Sequence, residues 1–364
     1  MSATLDRDRV RVSAFEDVLR AWDGEETAVR FDAASDTWMF ICVHSTVLGA
    51  AAGGTRMKVY AEPSEALRDA SRLSAAMTAK NALADLPLGG GKAVLAVPEI
   101  PQGAARRELL LRYGDLVSSL GGTYRTACDM NTAEVDMDIV AERSPYVFGR
   151  TVRGGGSGTS APSTAVGAFH GILASVEHAF GSADLGGRTV LVQGVGAVGR
   201  LLAAALRDAG ASLILTDVDE ARAKEAANEL GAAVVPPEEA VATECDVFAP
   251  CATGGVLDAV SIAALRCRVV AGAANNQLAQ PQDAERLAER SILYAPDYVV
   301  NAGGIIHLAS LELLGEDEAR RDERVRGIAD TLTEVFRTAD AEGISTGAAA
   351  EDMVRLRLSE GRRA

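Results

Sequence analysis

Residues 188–217, RTVLVQGVGAVGRLLAAALRDAGASLILTD, read as a strand, a glycine turn, a helix and a second strand. The run Thr189–Gln193 has the β-branched, apolar character of a buried strand, and the Leu/Ala-rich run after the glycines has helical composition. Strand, helix and strand at this spacing make a βαβ unit, and such units build parallel sheets. The turn carries Gly194, Gly196 and Gly199 at the spacing of a dinucleotide-binding loop. Gly194 permits the tight turn, Gly196 lets backbone approach a pyrophosphate, and Gly199 lets the helix pack closely, while the helix N-terminus favours the anion. Asp217 ends the second strand, where a carboxylate accepts hydrogen bonds from the adenine-ribose hydroxyls and favours NAD over NADP. The same residue also reads as a cap for the next helix. Arg222 is near enough to meet a 2′-phosphate, but Asp217 and Asp219 oppose one electrostatically.

Beyond this unit, Asp246–Cys251 (DVFAPC), Arg268–Ala274 (RVVAGAA) and Ser291–Pro296 (SILYAP) alternate with helix-like segments and extend the same sheet. Nearer the N-terminus, Trp38–Val47 (WMFICVHSTV) and Ala93–Pro98 (AVLAVP) read as strands and Ser64–Ala84 as a helix, a second α/β pattern. Between the two lies Gly149–Ser163 (GRTVRGGGSGTSAPS), too rich in Gly, Ser and Thr to hold a regular element throughout. The chain, 364 residues long, exceeds what one core serves, so this passage marks a boundary between domains at 1–150 and 151–329. It also suits a hinge for closure around a ligand. Val325–Gly343 is the clearest amphipathic stretch near the C-terminus, and helices from about 330 to 364 are expected to pack back on the first domain.

Lys and Arg total 36 against 51 Asp and Glu, a net charge of −15 that disfavours nucleic acid and anionic membrane and favours a small-molecule ligand. Residues 1–20 mix charges and hold no apolar stretch suited to a leader or a bilayer span, so the expected location is cytoplasmic. The five cysteines form no CxxC pair and no cluster with histidine, which points to free thiols and no metal. With four histidines in the chain, lysine and carboxylate chemistry gain weight.

Lys92 follows three glycines and precedes an apolar run, a position from which a side chain projects from a strand end into a cleft, with the glycines leaving room for a substrate. A lysine desolvated there would have a lowered pKa and act as a base near neutrality. Lys80, in an apolar, small-residue helix, is the second cation, and two lysines suit an anionic substrate. Isolated lysines are ordinarily solvated surface residues; these flanks argue otherwise. Asp129, in TACDMNT, offers a carboxylate for proton transfer with an amine, or equally the cap of an Asx turn.

The motifs GGTR (53–56), KNALADLPLGGGKAV (80–94), TACDMNT (126–132), QGVGAVG (193–199), APCATGG (249–255), GAANNQL (272–278) and YAPDYVVNAGG (294–304) occur in this order. With them the chain resembles the Glu/Leu/Phe/Val dehydrogenase family over nearly its whole length. Within that family it is most similar to the actinobacterial phenylalanine dehydrogenases, through AWDGEETAVRFD, CDVFAPCATGGV and NAGGIIHL. Cys128 and the junction GSGTSAPST depart from their usual wording, and TACD is closer to the valine enzymes.

The resemblance implies a two-domain α/β amino acid dehydrogenase, with a substrate domain and a Rossmann NAD-binding domain separated by a cleft. It implies oxidative deamination of a hydrophobic L-amino acid to its 2-oxo acid, ammonia and NADH, with phenylalanine preferred and leucine, valine or tryptophan the alternatives. Lys92 would activate water, Asp129 would shuttle protons, and Lys80, Gly53 and Asn276 would bind substrate. Ala52, Ala127, Ile305 and Leu308 would line the side-chain pocket. Leucine-type enzymes carry leucine where Ala52 stands, so alanine frees volume, while Leu308 takes some back. NAD contacts would come from Gly194, Val195, Gly196, Ala197, Val198, Gly199, Asp217, Thr164, Ala252, Thr253, Ala274, Asn275 and Asn301. A homo-oligomer is implied. A hydroxy-acid dehydrogenase lacks its histidine here, an NAD-binding sensor should have lost Lys80, Lys92 or Asp129, and a glutamate enzyme needs a cation where the pocket is apolar. His307 reads as a structural helix residue.

Overall fold

The computed structural model describes residues 14–361; the segment 1–13, which carries much of the N-terminal reading, and residues 362–364 lie outside them. The chain divides into two compact units, one running to Thr159 and taking in the last residues from Leu358, the other Ser160–Arg357.

The first unit holds strands β1 (Glu26–Asp32), β2 (Thr37–Ser45), β3 (Ala51–Lys58), β4 (Gly89–Ala96) and β5 (Tyr124–Cys128) in the order β1-β2-β4-β3-β5. β2 is antiparallel to β1 and β4, whereas β3 is parallel to β4 and β5. Its helices are α1 (described over 14–21), α2 (Pro63–Leu83), α3 (Gly103–Ser119) and α4 (Glu134–Ala141). The nearly unbroken apolar run of β2 follows from burial on both faces. Met39, Ile41 and Val43 join Leu95, Leu110 and Tyr113 in one core, while Phe40 and Cys42 join Leu67, Ala70 and Val94 in the other.

Gly89, Gly90 and Gly91 lie inside β4, so Lys92 is a mid-strand residue and not one at a strand end, as expected above. The glycines serve packing in place of leaving room for substrate. A Cβ on Gly90 would sit 2.1 Å from Thr78 Oγ1 of α2, and one on Gly91 would sit 2.7 Å from the Tyr124 ring. The helix therefore rests directly on strand backbone. The glycine-rich junction is folded locally, with Thr151 Oγ1 donating to Asp138 at 2.6 Å and accepting from Gly154 N–H at 2.9 Å.

The second unit holds β6 (Thr189–Gln193), β7 (Ser212–Thr216), β8 (Ala233–Val234), β9 (Val247–Pro250), β10 (Val269–Val270) and β11 (Leu293–Tyr294). The order is β11-β10-β9-β6-β7-β8, every pairing parallel. Counted from β8 this is third, second, first, fourth, fifth, sixth, the doubly wound Rossmann arrangement, in which the chain reverses direction across the sheet between β6 and β9. The helices are α5 (Ala161–Phe180), α6 (Ala197–Asp208), α7 (Glu220–Leu230), α8 (Ala259–Ala264), α9 (Asp283–Glu289), α10 (Asp297–Val300), α11 (Gly303–Glu312), α12 (Glu318–Arg326), α13 (Ile328–Glu342) and α14 (Thr346–Gly361). The runs expected at 268–274 and 291–296 shrink to two-residue strands.

The C-terminal helices correct another expectation in part: α13 packs on α5 in the second unit, while the end of α14, from Leu358, belongs to the first. A Cβ on Gly167 would meet Ile328 at 2.6 Å and one on Gly171 would meet Leu332 at 3.1 Å. Two glycines four apart thus open a groove on α5 that takes the apolar face of α13.

Candidate active site

In the first unit, β4 carries Lys92, which is 6% exposed, directly across from Cys42 of β2, on the face that α2 covers. Asp129 follows β5 in a turn held to β3. Its backbone N–H donates to Thr132 Oγ1 at 2.9 Å, Thr132 Oγ1 donates to Thr55 O at 2.8 Å, and Asn131, at φ 60°, donates from its side chain to Met57 O at 3.0 Å. The Asx-turn and cap reading of Asp129 is not met, because its backbone makes the turn contacts while its carboxylate is left to Arg56 and Lys92.

Lys92 Nζ stands 3.2 Å from Asp129 Oδ2. Arg56 Nε donates to the same oxygen at 3.0 Å. Among the described residues no donor reaches Oδ1. Arg56 is held from behind by Asp69 Oδ2 at 2.9 Å, which also accepts from the Tyr60 hydroxyl at 2.7 Å, while Arg72 donates to Asp69 Oδ1 at 3.0 Å. Burial alone would raise the Asp129 carboxyl, but the Lys92 and Arg56 cations outweigh it and hold it at about 2. The neighbouring Cys128 thiol is pushed up to about 11 by burial and by Glu134, so it stays protonated and unreactive. Arg56, Asp69 and Tyr60 had no assigned role in the sequence; the GGTR motif holding Arg56 was the available signal.

Lys80 lies one turn after Met77 on α2, and Met77 Cγ lies over Gly53, 3.2 Å from where its Cβ would be. A Cβ on Gly53 would overlap Gly91 O at 1.8 Å, so Gly53 brings β3 against the residue before Lys92. Ala52 is fully buried and Ala127 is 6% exposed.

In the second unit the glycine turn is built as its sequence implies. Gly194 has φ 99° and donates its N–H to Thr216 O at 2.7 Å. A Cβ on Gly199 would strike Gly194 O at 1.9 Å, whereas one on Gly196 would meet nothing within 4 Å. That open backbone, at the start of α6 where Ala197 and Val198 lie, has the form of a pyrophosphate cradle. Ala252, after β9, borders Gly194, which sets the turn at the topological switch point, with the exposed Thr253 next to it. Asp217 does not cap α7; Asp219 does, accepting from Arg222 N–H. Asp217 Oδ2 accepts from Val195 N–H at 2.9 Å and Oδ1 from Asp219 N–H at 2.9 Å, with Arg222 Nη1 3.6 Å away.

Asn301 donates to Ala274 O and Asn275 Oδ1, both at 3.1 Å, while its own buried Oδ1 has no protein donor among the described residues. Such an acceptor fits a ligand amide. Asn276 adopts φ 53° and its N–H is held by Asp297 Oδ2 at 2.5 Å. On α5 Thr164 Oγ1 donates to Ser160 O at 3.1 Å and lies against Gly304. Ile305 and Leu308 of α11 are 8% and 7% exposed. His307 Nδ1 pairs with Ser163 Oγ at 3.0 Å, tying α11 to α5. The described residues contain no metal-ligand cluster, and no helix among them is long and apolar enough to cross a membrane.

Two sequence models match the chain: "Glu/Leu/Phe/Val dehydrogenase, dimerisation domain" over residues 30–146 and "Glutamate/Leucine/Phenylalanine/Valine dehydrogenase" over 215–339. The chain is 42% identical to the leucine dehydrogenase of Thermoactinomyces intermedius over 342 residues, 94% of this chain and 93% of that one. It is 45% identical to the valine dehydrogenase of Streptomyces virginiae over 341 residues, 93% and 94% of the two chains. The crystal structure of L-tryptophan dehydrogenase from Nostoc punctiforme superposes with a TM-score of 0.80 at 38% identity, covering 96% of this chain and 99% of that one.

Proposed function

The chain belongs to the Glu/Leu/Phe/Val dehydrogenase family, and from that membership we propose that it reversibly deaminates a hydrophobic L-amino acid to its 2-oxo acid, with Lys92, Asp129 and Lys80 as the reacting set. The observation that carries this reading is the buried Lys92–Asp129–Arg56 cluster, in which the carboxylate keeps one oxygen free. The cofactor is NAD(H), cradled by Gly194 to Gly199 with Asp217, Ala252, Thr253, Ala274, Asn275, Asn301 and Thr164 around it. When bound, NAD supplies the acceptor for the hydride leaving the substrate Cα.

In the first unit Lys80 Nζ holds the substrate carboxylate and Gly53 contributes to substrate binding. Asp129, already ionised, takes a proton from the substrate ammonium at Oδ1, while Arg56 and Lys92 fix Oδ2. Lys92 in its neutral, amine form orients and deprotonates the water that attacks the imine carbon, and Asp129 returns a proton to the departing ammonia. Lys92→Ala tests this: turnover should fall by about 1000-fold or more, with NAD affinity in a fluorescence titration unchanged. Full activity in that variant would remove the mechanism.

Phenylalanine is the preferred substrate on the small side chain at Ala52, which leaves volume beside Ala127 for a bulky group. A branched-chain aliphatic substrate is the second reading. The complete burial of Ala52 and the names of the leucine and valine relatives favour it. A homo-oligomer fits the description of the matched N-terminal domain.

A further inference from the structure

The proposed chemistry uses none of the five cysteines, all of which are free. Cys42, Cys128 and Cys251 each stand apart, but Cys245 and Cys267 are brought together by the second sheet. Glu244 forms a parallel bridge with Arg266, and Val247 pairs in parallel with Val269. The same offset sets Cys245 directly opposite Cys267, and Cys245 N–H donates to Arg266 O at 3.2 Å. Residues paired on neighbouring strands face the same side, and strands lie about 4.8 Å apart. That spacing falls within the roughly 4.4–6.8 Å Cα separation a disulfide spans. The side chains share one apolar cluster with Phe248, Leu265 and Val270.

We propose that Cys245 and Cys267 are a thiol pair that hydroperoxides oxidise to an intrachain disulfide, stapling the approach to β9 onto the approach to β10. Cys267 is the attacking sulfur. It is the more exposed of the two, and the Arg290 guanidinium, which donates to Leu265 O at 3.0 Å, adds positive charge beside it. The neighbouring Cys245 thiol and the Arg290 charge draw the Cys267 thiol down, while the neighbouring Cys267 and burial push Cys245 up. The Cys267 thiolate displaces hydroxide from the peroxide and becomes a sulfenic acid; Cys245 then attacks that sulfur, and its proton leaves with the hydroxyl as water. Two thiols and one hydrogen peroxide thus give one disulfide and two waters, and an organic hydroperoxide gives its alcohol in place of one water. The staple lies at the opposite end of β9 from Ala252 and the glycine turn.

The test treats the reduced chain with hydrogen peroxide, counts thiols in denaturant and maps cross-links by mass spectrometry. The expected result is loss of two of the five thiols and two hydrogens of mass, a single Cys245–Cys267 link within one chain, and full reversal by dithiothreitol. In Cys245→Ser, Cys267 should halt as a sulfenic acid that dimedone traps. A link through any other cysteine, a link between chains, or Cys267 recovered as sulfinic acid beside an intact Cys245 thiol would overturn the proposal, and the mapping on the parent chain stands whether or not the variant folds.

Discussion

At the residue scale, Asp129 is held by charge and not only by position. With its carboxyl at about 2, it is ionised throughout the range in which the enzyme is assayed, so the pH dependence of kcat/KM should show no inflection from it between about pH 5 and 10. Removing Arg56 removes one of two cations from Oδ2. Arg56→Met should lower kcat by about 10–100-fold, change the KM for the amino acid far less, and move the acid limb of activity to higher pH. Arg56→Lys should restore part of the loss. Unchanged kcat and pH profile in Arg56→Met would show that Lys92 alone positions the carboxylate. Lys92 and Asp129 stood out in the sequence through the small residues beside them, but their pairing at 3.2 Å across the sheet did not. Arg56 did not stand out, because its partners lie on α2 and beyond β5, 13 and 73 residues away, and no local pattern reports such a pairing.

At the element scale, the two glycine clusters look alike as text and do opposite things. Gly90 is filled from above by Thr78 of α2, whereas Gly196 faces open space. Gly90→Ala should therefore cost about 1–3 kcal/mol or more of stability, read as a lower denaturant midpoint. Gly196→Ala should leave the midpoint unchanged and weaken NAD binding by about tenfold or more. Equal midpoints for the two variants would contradict the packing role given to β4. The βαβ unit and α2 were readable because periodicity and turn residues agree there. β8, β10 and β11 were not, because two-residue strands carry no period, and β3 hid behind its paired glycines.

At the scale of the whole molecule, acid lability should fall more heavily on the first unit, although Asp258 and Glu316 of the second are also held below the usual carboxylate range by hydrogen bonds. Asp32, Asp69 and Asp129 all lie in the first, and in each the penalty of burial is outweighed by hydrogen bonds and cations, led by Arg112 for Asp32, by Tyr60 and Arg56 for Asp69 and by Lys92 for Asp129. A carboxylate whose pKa is depressed by folding adds stability above its unfolded value near 4 and loses it as pH falls towards the folded one. For Asp129 that amounts to about 2 kcal/mol, lost between roughly pH 4 and pH 2. Both tryptophans, Trp22 and Trp38, belong to this unit, so their emission should change at higher pH than the far-ultraviolet circular dichroism of the whole chain. Coincident transitions would refute the asymmetry. Unit membership was the least legible feature: the amphipathic pattern of α13 announces a buried face, but its destination depends on Gly167 and Gly171, more than 150 residues earlier.

The central claim is tested most directly by NADH formation at alkaline pH from NAD with L-phenylalanine, L-leucine, L-valine, L-tryptophan and L-glutamate, compared by kcat/KM. The account predicts turnover of the hydrophobic substrates, phenylalanine ahead, and none of glutamate. An aliphatic winner would retain the mechanism and reassign the pocket, whereas no turnover of any hydrophobic amino acid would contradict the roles given to Lys92 and Asp129.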